Sequence, residues 1–206
     1  LGALVSRSDG QLQCVAYSNH AFEDATTQRL RSNFQLWRSC VGLSDAALAK
    51  QIYDDAVDIL IDLSGHTAGN RLPVFAFKAA PVQISWLGYF GTTGVQAMDY
   101  LLADPWTLPV SDECNFTEKI WRLPETRLCF TPPALNIGVS KLPALDNGYV
   151  TFGCFNNLTK MVEPVVALWA AVLRAVPESR LFLKSPQLNE PSVRQRVQEQ
   201  FASHGI

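Results

Sequence analysis

The 206-residue sequence has little net charge and lacks a long apolar run. Its 17 basic and 19 acidic residues leave a formal net charge of −2, without the basic patch that nucleic acid or an anionic membrane attracts. No apolar stretch approaches the roughly 18 residues of a spanning helix. Residues 1–10 carry Ser6, Arg7 and Asp9 where a signal peptide is apolar. The sequence therefore predicts a soluble chain whose partners are neither nucleic acid nor membrane.

Cysteine and histidine are also scarce. The five cysteines are odd in number and widely spaced, and no C-x-x-C pair occurs. This pattern favours buried thiols in a reducing cytoplasm over a disulfide framework or a zinc site. The three histidines, His20, His66 and His204, show no metal-ligand spacing. We therefore expect neither a metal nor a cofactor.

Hydrophobic periodicity alternates between strand and helix along the chain. The predicted strands cover residues 12–18, 58–63, 81–87, 98–103, 149–155 and 180–184. The predicted helices cover residues 24–37, 44–54, 72–78 and 162–176, and a last helix begins at Asn189. The branched apolar run at 58–63 suggests a strand buried on both faces. Strands and helices in this order predict an α/β fold with parallel sheets.

The pattern breaks between the two halves. Six prolines fall between residues 104 and 148, where helical periodicity fades. We therefore expect one α/β domain over 1–103, a proline-rich connection over 104–148, and the start of a second α/β domain over 149–206.

Two small polar loops follow predicted strands, at the sheet edge where open α/β folds bind ligands. The first, 64–70, contains His66, which is interpreted either as a general base or as a structural hydrogen-bonding group. The second, 88–94, places glycine at every third position. Its glycines either serve a tight turn or let the backbone approach a sugar or diphosphate.

Lys160 closes a polar turn, 156–159, between a predicted strand and the helix that begins near Val162. Its ammonium and the first free N–H groups of that helix would then converge on an anion such as phosphate. The alternative is a solvated surface lysine.

Three long strings, taken together, resemble one known family. They are DILIDLSGHTAGNRLPVFAFKAAPVQISWLGYFGTTG at 58–94, AMDYLLADP at 97–105, and YVTFGCFNNLTKMVEPVVALWAAVLRAVPESRLFLKS at 149–185. They resemble the catalytic region of the O-linked N-acetylglucosamine transferase and SPINDLY-like family in its bacterial form. The resemblance implies a B-type glycosyltransferase, of which this chain holds parts of two Rossmann-like domains.

The same resemblance implies an activity. The family transfers N-acetylglucosamine, with inversion and without a metal ion, from UDP-N-acetylglucosamine to Ser or Thr hydroxyls of acceptor proteins. Its plant SPINDLY branch uses GDP-fucose instead. Tetratricopeptide repeats usually precede the catalytic region, so we expect them in the same gene product.

Site residues follow from the resemblance by position. Leu87, Gly88 and Phe90 would lie against the donor sugar, Asn157 in the nucleotide pocket, and Lys160 against the diphosphate. In a metal-free enzyme, Lys160 would stabilise the charge on the departing nucleotide.

The sequence also departs from the family's pattern. Phe90 stands where the family's WLGYPG string has proline, which changes the stiffness and shape of the loop. The family's D-F-x-x-H-P segment would precede Leu1, and its uridine-binding segments would follow Ile206. We therefore expect a catalytic-region fragment without activity of its own. The alternatives are a non-catalytic fragment that binds a nucleotide sugar or a protein, and a related transferase with another donor such as GDP-fucose.

Overall fold

The computed structural model describes residues 12–130, 132 and 137–206. The chain divides into two compact units at Pro132. The interpretation of residues 1–10 lies outside the described residues, as do residues 131 and 133–136 of the predicted connection. No helix of the described part is long and apolar enough to cross a membrane.

The described residues of the first unit form six parallel strands in two sheets. The strands are β1 (Val15–Ser18), β2 (Leu36–Ser39), β3 (Ile59–Asp62), β4 (Val82–Ser85), β5 (Tyr100–Ala103) and β6 (Lys119–Arg122). β1 pairs with β2, and the remaining four form a sheet in the order β3-β4-β5-β6. Because all pairs are parallel, the carboxyl ends of neighbouring strands share one edge, as the α/β prediction requires.

Three helices accompany these strands: α1 (Ala25–Arg31), α2 (Asp45–Asp54) and α3 (Leu72–Ala76). The predicted start of α2 is confirmed, since the Ser44 hydroxyl accepts the N–H of Ala47 at 3.2 Å. α2 buries Leu48 and Ile52 in a cluster that also holds Leu60 of β3 and Phe75 of α3. This cluster packs the helices beside the strand that leads into the first polar loop.

The prediction of one helix over 24–37 is wrong in its second half. α1 ends at Arg31, and residues 36–39 form β2 in register with β1. Leu30, Phe34 and Trp37 fit helical spacing, but a helix through them would leave the backbone of β1 without a partner. Strand pairing therefore overrides the local periodicity.

The prediction that residues 58–63 are buried on both faces is also wrong. Leu60 and Asp62 are buried, whereas Ile59 and Ile61 are 55% and 39% exposed. β3 lies at the edge of its sheet and packs only one face against the apolar cluster. The apolar run therefore reflects β propensity as well as burial.

The stretch predicted as a connection contains part of the sheet. β6 pairs with β5 through the register Tyr100 to Lys119 and Ala103 to Arg122. A 3₁₀ helix, Val110–Asn115, precedes it. The strand escaped prediction because it is four residues long and lies between prolines, so no periodic window includes it.

The described residues of the second unit form an α-β-α-β-α arrangement. It contains α4 (Pro143–Asn147), β7 (Thr151–Cys154), α5 (Glu163–Ala175), β8 (Arg180–Leu183) and α6 (Pro191–Ala202), with 3₁₀ turns at Leu158–Lys160 and Pro186–Asn189. β7 and β8 are parallel, and Val166, Ala170, Val197 and Phe201 form the buried core of α5 and α6. The last helix begins at Pro191, two residues later than predicted, with Glu190 at its N-cap.

Candidate functional site

The first polar loop of the first unit is organised by Asp62, the last residue of β3. The buried carboxylate accepts the N–H of Gly65 at 2.8 Å, the N–H of Ser64 at 3.1 Å and the Ser85 hydroxyl at 3.3 Å. Ser85 is the last residue of β4, so one carboxylate ties together the ends of two neighbouring strands. Asp62 is therefore a structural anchor of this edge.

The two loops approach each other through glycine backbone. A Cβ on Gly88 would lie 2.2 Å from the Leu63 carbonyl oxygen, and a Cβ on Gly65 would lie 2.3 Å from the Tyr89 Cβ. Leu87, between β4 and this contact, has a φ of 67°, a left-handed conformation that is strained for leucine. Glycine is therefore required at both positions by the crossing of the loops.

His66 lies beside the second loop on the protein surface. Its Nε2 donates a hydrogen bond to the Thr92 carbonyl at 3.1 Å, and its ring meets the Tyr89 ring edge-on with centroids 5.4 Å apart. A neutral ring that donates from Nε2 keeps Nδ1 as a lone-pair acceptor. His66 therefore forms a structural hydrogen bond through Nε2, and its Nδ1 can accept a proton.

Glu118 holds the far end of the second loop. Its buried carboxylate accepts the Thr93 N–H at 2.7 Å and the Thr92 hydroxyl at 2.8 Å, and it also accepts the Thr93 hydroxyl. Burial raises the pKa of Glu118, but these hydrogen bonds together outweigh burial and lower its pKa below the ordinary value. Glu118 is therefore a charged anchor for residues 92–94.

Asp104 directly follows β5 and binds the backbone of Arg127, whose side chain contacts the second loop. The Asp104 carboxylate accepts the N–H groups of Arg127 and Thr107, both at 2.7 Å, and of Trp106 at 3.0 Å. The hydrogen bond from the Arg127 N–H, followed by those from residues 106 and 107, lowers the pKa of Asp104 to about 2. The Arg127 guanidinium lies 3.9 Å from the centroid of the Phe90 ring.

Acid unfolding should therefore depend on Asp104. Its folded-state pKa of about 2 lies below the ordinary 3.8, so its stabilising contribution is complete above about pH 4 and is lost as the pH falls to about 2. We expect Asp104→Asn to lower the free energy of urea unfolding at neutral pH and to flatten its decline between about pH 4 and pH 2. Asp58→Asn, at an exposed position of the same unit, is the matched control. Parallel pH curves for wild type and Asp104→Asn would contradict this role.

The second unit places Asn157 and Lys160 around one small hollow. The hollow has a volume of about 90 Å³ and is lined by Cys154, Asn156, Asn157, Leu158, Lys160, Met161, Trp169 and Leu183. The Asn157 side chain accepts the Thr159 N–H at 3.0 Å and caps the 3₁₀ turn that ends at Lys160. Lys160 is exposed, and no carboxylate among the described residues forms a salt bridge with it. Its ammonium is therefore available to an anion.

The helix start contributes less to this site than the sequence suggested. In the first turn of α5, Pro164 has no N–H, the Val165 N–H donates to the Val162 carbonyl, and Glu163 adds a carboxylate. The N–H groups of Leu158 and Thr159 are likewise used, by the side-chain oxygens of residues 187 and 157. The first turn therefore offers fewer free N–H groups to an anion than the sequence suggested. Their convergence with Lys160 stays a prediction. The strand before this turn, β7, alternates between exposed and half-buried residues.

The first unit thus brings His66, Leu87, Gly88 and Phe90 to one sheet edge, and the second unit brings Asn157 and Lys160 to one hollow. Sequence reasoning missed the anchors Glu118, Asp104 and Arg127. Asp104 precedes a proline, and an Asp-Pro pair favours the start of a turn. Nothing in the sequence near Glu118 or Arg127 indicates which loop they contact. Among the described residues, no group of histidine, cysteine or carboxylate side chains has the arrangement of a metal site.

The chain belongs to glycosyl transferase family 41, whose sequence profile matches residues 7–131. It is 43% identical over 186 residues to a probable UDP-N-acetylglucosamine--peptide N-acetylglucosaminyltransferase SPINDLY of Petunia hybrida, and 40% identical over 186 residues to the SPINDLY protein of Arabidopsis thaliana. Each alignment covers 88% of this chain and 20% of the relative. The chain therefore spans about a fifth of the length of these curated relatives.

A solved structure gives the same classification. The chain matches a variant O-GlcNAc transferase of Thermobaculum terrenum with a TM-score of 0.85 and 38% identity, over 93% of this chain and 36% of that one. The predicted α/β fold of the B-type glycosyltransferase class is confirmed. The family resemblance expected from the three strings is confirmed as well.

Proposed function

We propose that the gene product containing this chain is an inverting protein O-glycosyltransferase that transfers N-acetylglucosamine from UDP-N-acetylglucosamine to Ser or Thr hydroxyls of proteins. Membership of family 41 and the activities by which the relatives are named support this proposal. The observation that carries it on this chain is the Lys160 ammonium at the hollow beside Asn157, which forms no salt bridge with any described carboxylate.

Transfer requires charge stabilisation on the leaving group. The acceptor hydroxyl oxygen forms a bond to the anomeric carbon of the sugar, the bond from that carbon to the diphosphate oxygen breaks, and the hydroxyl proton passes to a base. Negative charge grows on the diphosphate as UDP departs, and Lys160 is positioned at an open surface where its ammonium can meet that charge. Asn157 lines the same hollow and would contact the nucleotide.

The loop of the first unit supplies the sugar side in this proposal. Leu87, Gly88 and Phe90 would contact the donor sugar, which is supported by the exposed backbone of Gly88 and the exposed ring of Phe90. His66 is a candidate proton acceptor through Nδ1, because its Nε2 already donates to the Thr92 carbonyl.

The proposal extends to the organisation of the gene product. We assign the two units to the two Rossmann-like domains, the second of which would bind the nucleotide. Tetratricopeptide repeats in the same gene product and a cytoplasmic location belong to the same proposal. The five free cysteines fit a reducing compartment, and the flanking coding sequence tests for the repeats.

Calorimetry with three ligands tests the choice of donor. We expect the complete gene product to bind UDP-N-acetylglucosamine and UDP, with GDP-fucose at least tenfold weaker, because a pocket shaped for one base rejects another through unpaired polar groups. Tighter binding of GDP-fucose would identify the related transferase left open by the family resemblance. Binding of UDP without sugar transfer to any peptide would favour the non-catalytic alternative.

A further inference from the structure

Arg127 is a buried cation that the proposed reaction does not use. Its residue surface is 3% exposed, and its Nη2 atom is buried without a hydrogen-bond partner among the described residues. Its guanidinium lies over the Phe90 ring, with the guanidinium carbon 3.9 Å from the ring centroid. Burial lowers the pKa of the Arg127 guanidinium, and the charge of the Asp104 carboxylate opposes that effect only in part. The Phe90 ring face is a second source of compensation.

The backbone of Arg127 is fixed on both sides. Its N–H donates to the Asp104 carboxylate at 2.7 Å, and its carbonyl accepts the Trp86 indole N–H at 2.8 Å. Trp86 directly precedes the loop of Leu87, Gly88 and Phe90, so the same residue contacts the start of this loop through its backbone and the end through its guanidinium. The Phe90 ring itself is 62% exposed, which leaves its other face open.

We propose that Arg127 is a positioning residue for the loop 87–90, which it holds through a cation–π contact with the Phe90 ring. Proline would fix the backbone φ angle at position 90, and phenylalanine does not. The contact between the Phe90 ring and the Arg127 guanidinium restricts the loop instead. The significance of this for donor binding rests on the proposed function, in which residues 87, 88 and 90 contact the sugar. The restraint of the loop by Arg127 does not depend on the proposed function.

Hydrogen exchange of the complete gene product tests the restraint directly. We expect backbone amides of residues 86–94 to exchange about tenfold faster in Arg127→Met, which keeps length but removes charge, and in Phe90→Leu, which keeps apolar bulk but removes the ring face. The double variant should exchange no faster than the faster single variant, because both substitutions break the same contact. Phe90→Tyr, which retains the ring, should restore the wild-type rate.

A second cation–π pair provides the matched control. Arg180 lies 4.0 Å from the centroid of the Tyr149 ring in the second unit. Tyr149→Leu removes a comparable ring face and should leave exchange at residues 86–94 unchanged. If Arg127→Met does not fold, Phe90→Leu and Phe90→Tyr carry the test alone, since that ring is largely exposed.

Kinetics then separate positioning from a purely structural role. We expect the KM for UDP-N-acetylglucosamine to rise about tenfold in Arg127→Met and Phe90→Leu with kcat changed less than twofold, and to recover in Phe90→Tyr. Unchanged exchange at 86–94 in Phe90→Leu, or additive effects in the double variant, would overturn the positioning role. Faster exchange in a gene product that binds no nucleotide sugar would support the restraint while refuting the proposed function.

Discussion

Replacing Lys160 with alanine should lower turnover of the complete gene product by about 10²–10³-fold, the effect of removing one group that stabilises developing charge. The loss should fall mainly on kcat, because the charge on the diphosphate grows as the bond to the sugar breaks. The thermal midpoint should not change, since the Lys160 side chain is exposed and no described carboxylate pairs with it. Steady-state kinetics with saturating acceptor peptide and a thermal melt measure both quantities.

Two further variants sharpen this prediction. Lys160→Arg keeps the positive charge but places it on a planar guanidinium group, so this variant should retain part of the turnover that Lys160→Ala loses. Lys50→Ala removes a surface lysine that pairs with Asp54 on α2, and it should leave turnover unchanged. Equal turnover in wild type and Lys160→Ala would refute the role of this lysine.

Gly88→Ala should damage both the fold and the donor site. The new Cβ would lie 2.2 Å from the Leu63 carbonyl oxygen and 2.6 Å from the Ser64 Cα, and backbone atoms of a strand end cannot rotate away as a side chain does. We expect the free energy of unfolding to fall by about 1–3 kcal/mol, as for overpacked cores. Because the loop must move away from β3, the affinity for UDP-N-acetylglucosamine should fall at least tenfold.

Chemical denaturation and calorimetry measure these two effects. Gly138→Ala is the control, because a Cβ there meets no atom within 4 Å and the backbone is not left-handed; it should be neutral or slightly stabilising. Wild-type stability and donor affinity in Gly88→Ala would show that the two loops do not cross as closely as the structure indicates.

Elements with their own start and stop signals were predictable from the sequence. Ser44 caps α2 as expected, and the proline at 177 follows the end of α5. The structure of residues 24–37 was not predictable in this way. The spacing of Leu30, Phe34 and Trp37 suits a helix, but residues 36–39 pair with a strand that lies 21 residues earlier in the chain. Long-range strand pairing leaves no mark in a local window.

The candidate site shows the same division. Its glycine loops were predictable because Gly88 and Gly65 fall at strand ends, where backbone conformation restricts the residue type. The anchor residues of the site were not predictable, because their partners are distant in the sequence. Glu118 contacts Thr93, 25 positions earlier, and Arg127 contacts Phe90, 37 positions earlier. The anion site at Lys160 stays a prediction, and some of the N–H donors expected there already have partners in the turn and at Val162.

One measurement tests the central proposal most directly: intact-mass and fragment spectrometry of a Ser- and Thr-containing protein substrate after incubation with the complete gene product and UDP-N-acetylglucosamine. We predict one N-acetylhexosamine on a Ser or Thr oxygen for each UDP released, an almost complete loss of the product with Lys160→Ala, and no product on a substrate whose Ser and Thr residues are alanine. UDP release without any modified hydroxyl, or no turnover by a gene product that contains all catalytic segments, would contradict it.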